Sequence, residues 1–427
     1  MRVSGIARVP GDKSISHRAL ILAALAEGES RISRLLDSAD VRSTMGALRA
    51  LGVETETTPS GDLVVRGRGA ASLREPRAAL DCGNSGTTTR LMAGVAAACA
   101  FRTRFEGDAS LSRRPMRRVA EPLQAMGARV ALTAAGTLPM EIEGGSLHET
   151  SWTTGVASAQ VKGAILLAGV AAGVRVAVRE PAPSRDHSER MLRAMGADVS
   201  ARGGEVVYEP GAPLRAVDRT VPGDPSSAAF FVALAALAPA GEIALPDVCV
   251  NPTRTGFLDV MRRMGASVAA DDERDDGGEA IATLRAGASA LRGVDVRPEE
   301  VPAMIDELPL LACVAARADG TTTVAGAAEL RVKESDRIAA TVAALRAVGA
   351  DAEERPDGFV VVGSDRPLHG RVVTHGDHRL AMAFGILGAL PGNQIVVDDP
   401  DCVAVSYPGF WRDLALLAGG AIARGAA

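Results

Sequence analysis

Four short segments of the chain combine cationic side chains with small or polar residues at the expected start of an apolar helix. They read GDKSISHR at 11–18, CGNSGTTTR at 82–90, SAQVK at 158–162 and GDHR at 376–379. Helix N-termini carry unpaired N–H groups and a partial positive charge, and they favour anions. N-capping by Ser, Asp or Asn explains any one of these segments. It does not explain why a cation returns at the same place, and we therefore expect a site for a ligand with several negative charges.

Two further segments are candidates for the same site. In RVKESDR at 331–337, a helix would place Lys333 and Arg337 on one face with Glu334 beside them. A solvated helix start with mutually paired charges is the alternative interpretation. In Arg113-Arg114-Pro115, the proline restricts the backbone of Arg114 and helps to aim its side chain.

Several chemistries lack their usual sequence signals. The chain has no Walker A loop, no G-x-G-x-x-G fingerprint and no G-x-S-x-G elbow. His375 and His378 are predicted to share a helix face, but no third ligand accompanies them, and we expect no metal and no cofactor. The five cysteines are scattered singly, which is typical of a reduced, cytoplasmic protein.

Composition narrows the class of protein further. A chain of 427 residues with 47% apolar residues suits two domains, and with only 3% aromatics Ala, Leu, Val and Met must fill the cores. A net charge of −5 argues against a nucleic-acid partner. We expect no signal peptide and no membrane span, because no apolar run reaches about 20 residues.

A repeated signature runs through the chain. An amphipathic segment of the form L-x-x-x-G, with Met in place of Leu in the fourth copy, ends at Gly52, Gly127, Gly196, Gly265 and Gly349, with a degraded copy, LALLAGGA, at 414–421. Each copy follows an apolar helix and precedes a short alternating segment. We predict six α/β units, each with a buried helix, a glycine of positive φ after the second helix, and then an edge strand.

A second period groups the units into two sets of three. VPGDKS at 9–14 returns as VPGDPS at 221–226. The predicted domains are residues 13–222, and residues 1–12 plus 223–427, with hinges near Pro10-Gly11 and Pro222-Gly223.

Six motifs of the chain, in their order and spacing, resemble those of the 3-phosphoshikimate 1-carboxyvinyltransferase (EPSP synthase) family. They are VPGDKSISHRALILAALA at 9–26, DCGNSGTTTRLMAG at 81–94, GDASLSRRPMRRV at 107–119, SAQVKGAILLAG at 158–169, RVKESDRI at 331–338 and GDHRLAMAF at 376–384. The resemblance implies a two-domain inside-out α/β barrel, the enolpyruvyl transferase fold, with three units per domain, buried parallel helices and helix N-termini facing a cleft.

The resemblance also implies an activity. The family moves the enolpyruvyl group of phosphoenolpyruvate (PEP) onto the 5-hydroxyl of shikimate 3-phosphate, by addition and elimination through a tetrahedral intermediate, in aromatic amino acid biosynthesis. No cofactor is involved, the substrates are small molecules, and a cytoplasmic monomer is expected.

Residue roles follow by motif match. Those implied for shikimate 3-phosphate are Lys13, Ser14, Arg18, Ser158, Gln160, Asp306 and Lys333, with Arg185 a weaker candidate. Those implied for PEP are Lys13, Gly86, Arg114, Gln160, Arg337 and Arg379. Proton transfer is implied for Asp306, Glu334 and Lys13, and which of them moves which proton stays open.

The chain resembles the family branch that has Ser158-Ala159-Gln160 and no lysine near the C-terminus, where Ser406 stands. Gly86 is the residue whose missing side chain leaves room for the inhibitor glyphosate in the family. Two alternatives are a UDP-N-acetylglucosamine enolpyruvyl transferase and a non-catalytic protein that binds phosphate or RNA ends. The first is disfavoured by Lys13-Ser14-Ile15 and a cysteine-free 106–118 segment, and the second by the acidic composition and by Asp306 and Glu334 beside the cations.

Overall fold

The computed structural model describes residues 1–419. The chain divides into two compact units. The N-terminal unit contains Gly11–Val221 and Asp275–Glu279, and the C-terminal unit contains, within the described residues, Met1–Pro10, Pro222–Arg274 and 280–419. The repeat did not indicate that Asp275–Glu279 groups with the N-terminal unit. The hinges at Pro10-Gly11 and Pro222-Gly223 stay a prediction.

The α-helices of the described residues fall into two kinds, buried apolar helices and amphipathic ones that follow them. In chain order they are α1 Lys13–Leu25, α2 Ala39–Ala50, α3 Gly86–Ala97, α4 Arg117–Ala125, α5 Ala159–Ala172, α6 His187–Ala194, α7 Pro225–Leu237, α8 Gly256–Arg263, α9 Leu308–Ala315, α10 Arg337–Ala347, α11 His378–Gly388 and α12 Phe410–Leu417.

The strands are mostly short, and most join four-stranded sheets. In chain order they are β1 Val3–Ile6, β2 Glu27–Ser33, β3 Glu54–Thr57, β4 Leu63–Arg68, β5 Leu80–Asp81, β6 Arg102–Glu106, β7 Arg129–Ala131, β8 Met140–Glu143, β9 Thr150–Thr153, β10 Val176–Arg179, β11 Asp198–Arg202, β12 Glu205–Glu209, β13 Arg219–Thr220, β14 Gly241–Cys249, β15 Ser267–Asp276, β16 Glu279–Gly287, β17 Asp295–Val296, β18 Thr321–Val324, β19 Asp351–Arg355, β20 Gly358–Val362, β21 His369–Val372 and β22 Gln394–Val397.

One sheet topology is used repeatedly. The sheet orders are β13-β2-β4-β3, β5-β6-β8-β7 and β9-β10-β12-β11 in the N-terminal unit, and β1-β14-β16-β15 and β17-β18-β20-β19 in the C-terminal unit. In each of these sheets the first pair is parallel and the second pair is antiparallel. The sixth sheet is the parallel pair β21-β22. The repeat seen in the sequence is therefore a repeat of one βα unit.

The glycine and edge-strand predictions are confirmed. The glycine that ends each signature has a positive φ, at Gly52, Gly127, Gly196, Gly265, Gly349 and Gly419. The strand after each of the first five glycines is the outer strand of its sheet: β3, β7, β11, β15 and β19. Residues 420 and 421 of the sixth signature lie outside the described residues.

The first helix of every unit is buried, as predicted. Most residues of α1, α3, α5, α7, α9 and α11 are buried. Helices α3 and α5 lie close together because of Gly94: a Cβ at this position would lie 2.1 Å from the carbonyl oxygen of Ala164. This close approach brings the chemistry-bearing starts of the two helices near each other.

The C-terminal unit places five of its aromatic side chains in one group. Phe410 contacts the rings of Phe230, Phe231, Tyr407 and Trp411 at centroid distances of 5.0–5.9 Å. A buried Phe contributes roughly 1.5–3 kcal/mol through the hydrophobic effect. This group joins α7 and α12 and leaves the helix starts of the unit to polar side chains.

Two local predictions were wrong. Lys333 and Arg337 do not share a helix face, because a short 3-10 helix ends at Val332, Lys333 is extended, and α10 begins only at Arg337. The side chain of Asp336 accepts from the amide of Ala339 and fixes this start. His375 and His378 do not share a face either, because α11 begins at His378.

Candidate active site

The start of α1 holds two of the predicted cations. Asp12 caps the helix by accepting from the amide of Ile15 at 2.8 Å. Lys13, the first helical residue, lies 3.1 Å from Asp40 of α2. Arg18 donates to the carbonyl oxygen of Ser14 at 3.0 Å. Ordinary capping and a run of cations therefore occur together at this helix.

The start of α3 is shaped by the absence of a side chain at Gly86. A Cβ there would lie 2.8 Å from Nη1 of Arg90 and 3.3 Å from Nη1 of Arg114. Arg114 is held by Asn84, whose Oδ1 accepts from Nη2 at 2.5 Å and whose carbonyl oxygen accepts from Nη1 at 3.2 Å. Two guanidinium groups thus lie over one glycine, an arrangement suited to binding an anion.

The start of α5 is tied to that of α3. Oε1 of Gln160 accepts from Nη1 of Arg90 at 2.5 Å, and Nε2 of Gln160 donates to Oγ1 of Thr87 at 2.9 Å. Ser158 caps α5 with its hydroxyl oxygen. Its backbone N–H donates to Oε1 of Glu180 at 2.8 Å.

Arg18 connects α1 with α5 and α6. It donates to the carbonyl oxygen of Ala159 at 3.2 Å and to the hydroxyl of Ser188 at 2.7 Å. Burial lowers the pKa of Arg18 to about 10, and the nearby Glu189 acts in the opposite direction. Arg18 thus keeps its charge at neutral pH while 3% exposed.

The neighbouring His17 is a buried neutral group. Its Nδ1 lies 2.7 Å from Oγ1 of Thr44. Burial, reinforced by Lys13 and Arg18, lowers its pKa well below the usual value. His17 therefore adds no charge to this group of cations.

The C-terminal unit centres its predicted residues on Asp306, which lies just before α9. Oδ1 of Asp306 lies 3.2 Å from Nη1 of Arg337 and 3.7 Å from Nζ of Lys333. Oδ2 lies 3.8 Å from Nη2 of Arg379, which also lies 3.4 Å, through Nη1, from Glu307. One carboxylate is therefore positioned by three cations.

Arg337, the first residue of α10, is the most enclosed of these cations. Its Nε lies 2.8 Å from Oδ2 of Asp377, and its Nη2 lies 2.7 Å from Oε2 of Glu334. Burial opposes its charged form, but the carboxylates of Asp377, Glu334 and Asp306 prevail and raise its pKa. Arg337 is a fixed cation that holds Asp306 and Glu334 apart.

Lys333 is different in kind, because its side chain is 27% exposed. Burial lowers its pKa, the charge of Asp306 acts to raise it, and Arg337 lowers it again. Lys333 is therefore the least enclosed of the three cations around Asp306.

The structure brings the predicted residues into two groups, one in each unit. In the N-terminal unit, hydrogen bonds and ion pairs link the segments that carry Lys13, Ser14, Arg18, Gly86, Arg114, Ser158 and Gln160, and Arg185 follows Ser184 near Glu180. In the C-terminal unit, Asp306, Lys333, Glu334, Arg337 and Arg379 form one network of ion pairs.

Sequence reasoning missed several members of these groups. The sequence did contain a signal for three of them, a charged residue at a helix start: Arg90, Lys162 and Asp377. Glu180 and Glu189 carried no local signal, because their partner Lys162 lies 18 and 27 residues away in the chain.

No helix within residues 1–419 is long and apolar enough to cross a membrane. Over the same part of the chain, no group of three or more His, Cys, Asp and Glu side chains is arranged to hold a metal ion.

Known proteins resemble the chain over nearly its whole length. A profile of the family "EPSP synthase (3-phosphoshikimate 1-carboxyvinyltransferase)" matches residues 1–414. A 3-phosphoshikimate 1-carboxyvinyltransferase of Alkalilimnicola ehrlichii is 49% identical over 422 residues, which cover 99% of this chain and 94% of the relative. That of Halorhodospira halophila is 49% identical over 407 residues, 95% of this chain and 92% of the relative.

Solved structures agree with the sequence comparison. The EPSP synthase of Acinetobacter baumannii superimposes with a TM-score of 0.85 at 41% identity, covering 97% of this chain and 95% of that one. The enolpyruvyl transferase NikO of Streptomyces tendae has a TM-score of 0.75 at 20% identity over the same shares, which is a likeness of fold alone. The predicted enolpyruvyl transferase fold is thereby confirmed. Within that class, the chain belongs to the EPSP synthase (3-phosphoshikimate 1-carboxyvinyltransferase) family.

Proposed function

We propose that the protein transfers the enolpyruvyl group of PEP to the 5-hydroxyl of shikimate 3-phosphate, releasing phosphate. The observation that supports this most is the network around Asp306, where one carboxylate lies within 4 Å of Lys333, Arg337 and Arg379, with Glu334 against the same Arg337. Such a group can bind anions and move protons at one place.

The reaction requires two proton movements and one leaving group. The 5-hydroxyl oxygen bonds to C2 of PEP while it loses its proton, and C3 of PEP gains a proton. The resulting tetrahedral intermediate then loses phosphate from C2 and a proton from C3, which restores the double bond. We assign proton transfer to Asp306, Glu334 and Lys13, and the two carboxylates are suited to it because Arg337 fixes both.

We assign the substrate ligands as follows. For shikimate 3-phosphate they are Lys13, Ser14, Arg18, Ser158, Gln160, Arg185, Asp306 and Lys333. For PEP they are Lys13, Gly86, Arg114, Gln160, Arg337 and Arg379. Both substrates carry a phosphate and a carboxylate, and arginine binds either group through two parallel hydrogen bonds.

We place the protein in the family branch with Ser158-Ala159-Gln160 and with Ser406 in place of a lysine, and we propose a cytoplasmic monomer. The lack of a side chain at Gly86, where Arg90 and Arg114 lie close, supports glyphosate binding. An unchanged KM for PEP and an unchanged velocity at millimolar glyphosate would contradict that part.

Phosphate release from PEP tests the function. We expect release that depends on shikimate 3-phosphate and that does not occur when UDP-N-acetylglucosamine replaces it. Release with UDP-N-acetylglucosamine but not with shikimate 3-phosphate would assign the protein to the sister reaction. If neither acceptor supports the release of phosphate, the proposal is rejected.

A further inference from the structure

A buried group of three charged side chains, which we call the Lys162 triad (Lys162, Glu180 and Glu189), lies behind the start of α5 in the N-terminal unit. Nζ of Lys162 lies 2.8 Å from Oε2 of Glu180 and 2.8 Å from Oε1 of Glu189. The three side chains are only 2–4% exposed. Removing charged groups from water costs free energy, so three buried charges at this place indicate a specific role.

Glu180 connects two segments that carry proposed ligands of shikimate 3-phosphate. Its Oε1 accepts from the backbone N–H of Ser158 at 2.8 Å. Its Oε2 accepts from the hydroxyl of Ser184 at 2.8 Å, next to Arg185. One carboxylate thus joins the backbone of Ser158 to the side chain of Ser184 in the segment before α6.

Lys162 completes this connection. Besides its two carboxylates, Nζ lies 3.4 Å from the carbonyl oxygen of Ser184. Burial opposes the charge of Lys162, yet Glu189 and Glu180 prevail and raise its pKa, so it remains a cation. Its charge offsets a carboxylate that would otherwise repel a phosphate bound at Ser158.

Glu189 extends the group to Arg18. It lies in α6 directly after Ser188, whose hydroxyl accepts from Nε of Arg18 at 2.7 Å. Arg18 also donates to the carbonyl oxygen of Ala159, the residue between Ser158 and Gln160. The triad therefore adjoins α1 and α5, which carry proposed ligands, and α6, which begins two residues after Arg185.

We propose that the Lys162 triad positions the phosphate-binding residues for shikimate 3-phosphate and does not itself contact substrate. This inference rests on the proposed function. It assigns Ser158 a hydroxyl hydrogen free to donate to substrate, because Glu180 takes its N–H and its oxygen caps α5. The positioning acts mainly on shikimate 3-phosphate: the triad bonds to Ser158 and Ser184, whereas Arg114, which we assign to PEP, donates to Asn84.

Binding of shikimate 3-phosphate in the absence of PEP, measured by calorimetry, tests the proposal. In Glu180→Gln the carboxylate that accepts from Ser158 and Ser184 and pairs with Lys162 is replaced by an uncharged amide, which has only one oxygen to accept hydrogen bonds. We expect the Kd for shikimate 3-phosphate to rise about tenfold, as for the loss of one hydrogen bond to a charged group. The KM for PEP at saturating shikimate 3-phosphate should change less than about twofold, because Asn84 holds Arg114, and Arg90 and Thr87 hold Gln160.

Three further variants separate positioning from stability. Lys162→Met leaves two carboxylates side by side and should weaken binding more than Glu180→Gln does. Lys162→Arg keeps the cation and should restore most of the affinity. Leu167→Ala, a buried position on the same helix, should lower the Tm and leave the Kd unchanged. If Lys162→Met does not fold, Glu180→Gln and Ser184→Ala decide the question.

The outcomes are distinct. A Glu180→Gln protein that binds shikimate 3-phosphate as tightly as the wild type overturns the positioning proposal alone, as does an equal loss for both substrates. A wild-type protein that does not bind shikimate 3-phosphate overturns the proposed function, and the positioning proposal with it. Faster amide exchange at Ser158 in Glu180→Ala is expected, and unchanged exchange would contradict the role of Glu180 without use of any substrate.

Discussion

The guanidinium of Arg337 lies edge-on against the carboxylate of Asp377, with Nε 2.8 Å from Oδ2 and Nη2 3.3 Å from Oδ1. Both side chains are at most 1% exposed, and Asp377 is also the cap of α11. The start of one helix is therefore fixed by the first residue of another. This pairing aims the remaining nitrogen of Arg337, Nη1, at Asp306.

Arg337→Lys should remove this geometry while it keeps the charge. A lysine has no planar fork and cannot serve Asp377, Glu334 and Asp306 together. We expect kcat/KM to fall by about 10²-fold, since hydrogen bonds between charged groups contribute about 1.5–3 kcal/mol each. Steady-state kinetics with both substrates measure it. The matched control is Arg331→Lys. Arg331 lies on the same segment as Arg337 but pairs with Asp336 and Glu354, so its replacement should leave turnover near the wild-type value. Wild-type turnover in Arg337→Lys would contradict the assignment.

Asp377 should make stability depend on pH in the acid range. Burial opposes its charge, but Arg337 prevails and lowers its pKa below the ordinary value of 3.8. Below about pH 4 the unfolded chain therefore binds more protons than the folded one at this group, and the free energy of unfolding falls as pH falls through the lowered pKa.

Asp377→Asn tests this linkage. Removing one partner of a buried ion pair costs about 3–5 kcal/mol, so the variant should be less stable at pH 7 by that order. The difference in the free energy of unfolding between variant and wild type, measured by denaturant unfolding, should become smaller towards pH 3. Asp365→Asn, at an exposed position, is the control and should behave as wild type. A difference that stays constant with pH would show that Asp377 does not titrate as argued.

Gly86→Ala should affect PEP more than shikimate 3-phosphate. The new methyl group would lie 2.8 Å from Nη1 of Arg90, which holds Gln160, and 3.3 Å from Nη1 of Arg114. We expect the KM for PEP to rise about tenfold, comparable to about 1.4 kcal/mol of binding free energy. Gly46→Ala is the control: nothing lies within 4 Å of its added methyl group, and kinetics should not change. Equal KM values for PEP in Gly86→Ala and wild type would reject the crowding argument.

The cysteines should be inert in the folded protein. Burial raises the pKa of Cys82 to about 12 and that of Cys99 to about 11. Burial, followed by the charge of Asp399, raises the pKa of Cys402 to about 12. Because the thiolate is the reactive form, a thiol reagent at pH 8 should label native protein slowly and all five cysteines quickly after unfolding. Rapid labelling of the native protein would show that these sites open.

Much of the architecture could be predicted because it follows from local rules. A glycine after L-x-x-x has one common role, the left-handed residue that ends a helix, and Gly52 and Gly349 have it. The polar segment Glu54–Thr57 is mostly exposed and so belongs at a sheet edge. The cations of α1 and α11 were likewise visible, since caps and charges lie within a few residues of each other.

The local conformation of Lys333 and the contacts of Arg90 could not be predicted, because they depend on a competing cap and on a partner far away in the chain. Charge spacing suggested that Lys333 lies on a helix, but the cap of Asp336 on Ala339 starts α10 later and leaves Lys333 extended. Likewise, Arg90 meets Gln160 across 70 residues of sequence, and only the close packing of α3 on α5 shows it.

The most direct test of the central claim uses PEP labelled with ¹⁸O in the oxygen that bridges carbon and phosphorus. Enolpyruvyl transfer breaks the bond between C2 and this oxygen, so we predict that the label appears in the released phosphate and that shikimate 3-phosphate gains the enolpyruvyl mass. Label that stays with the pyruvyl carbon, with unmodified shikimate 3-phosphate, would mean cleavage at phosphorus and would contradict the account.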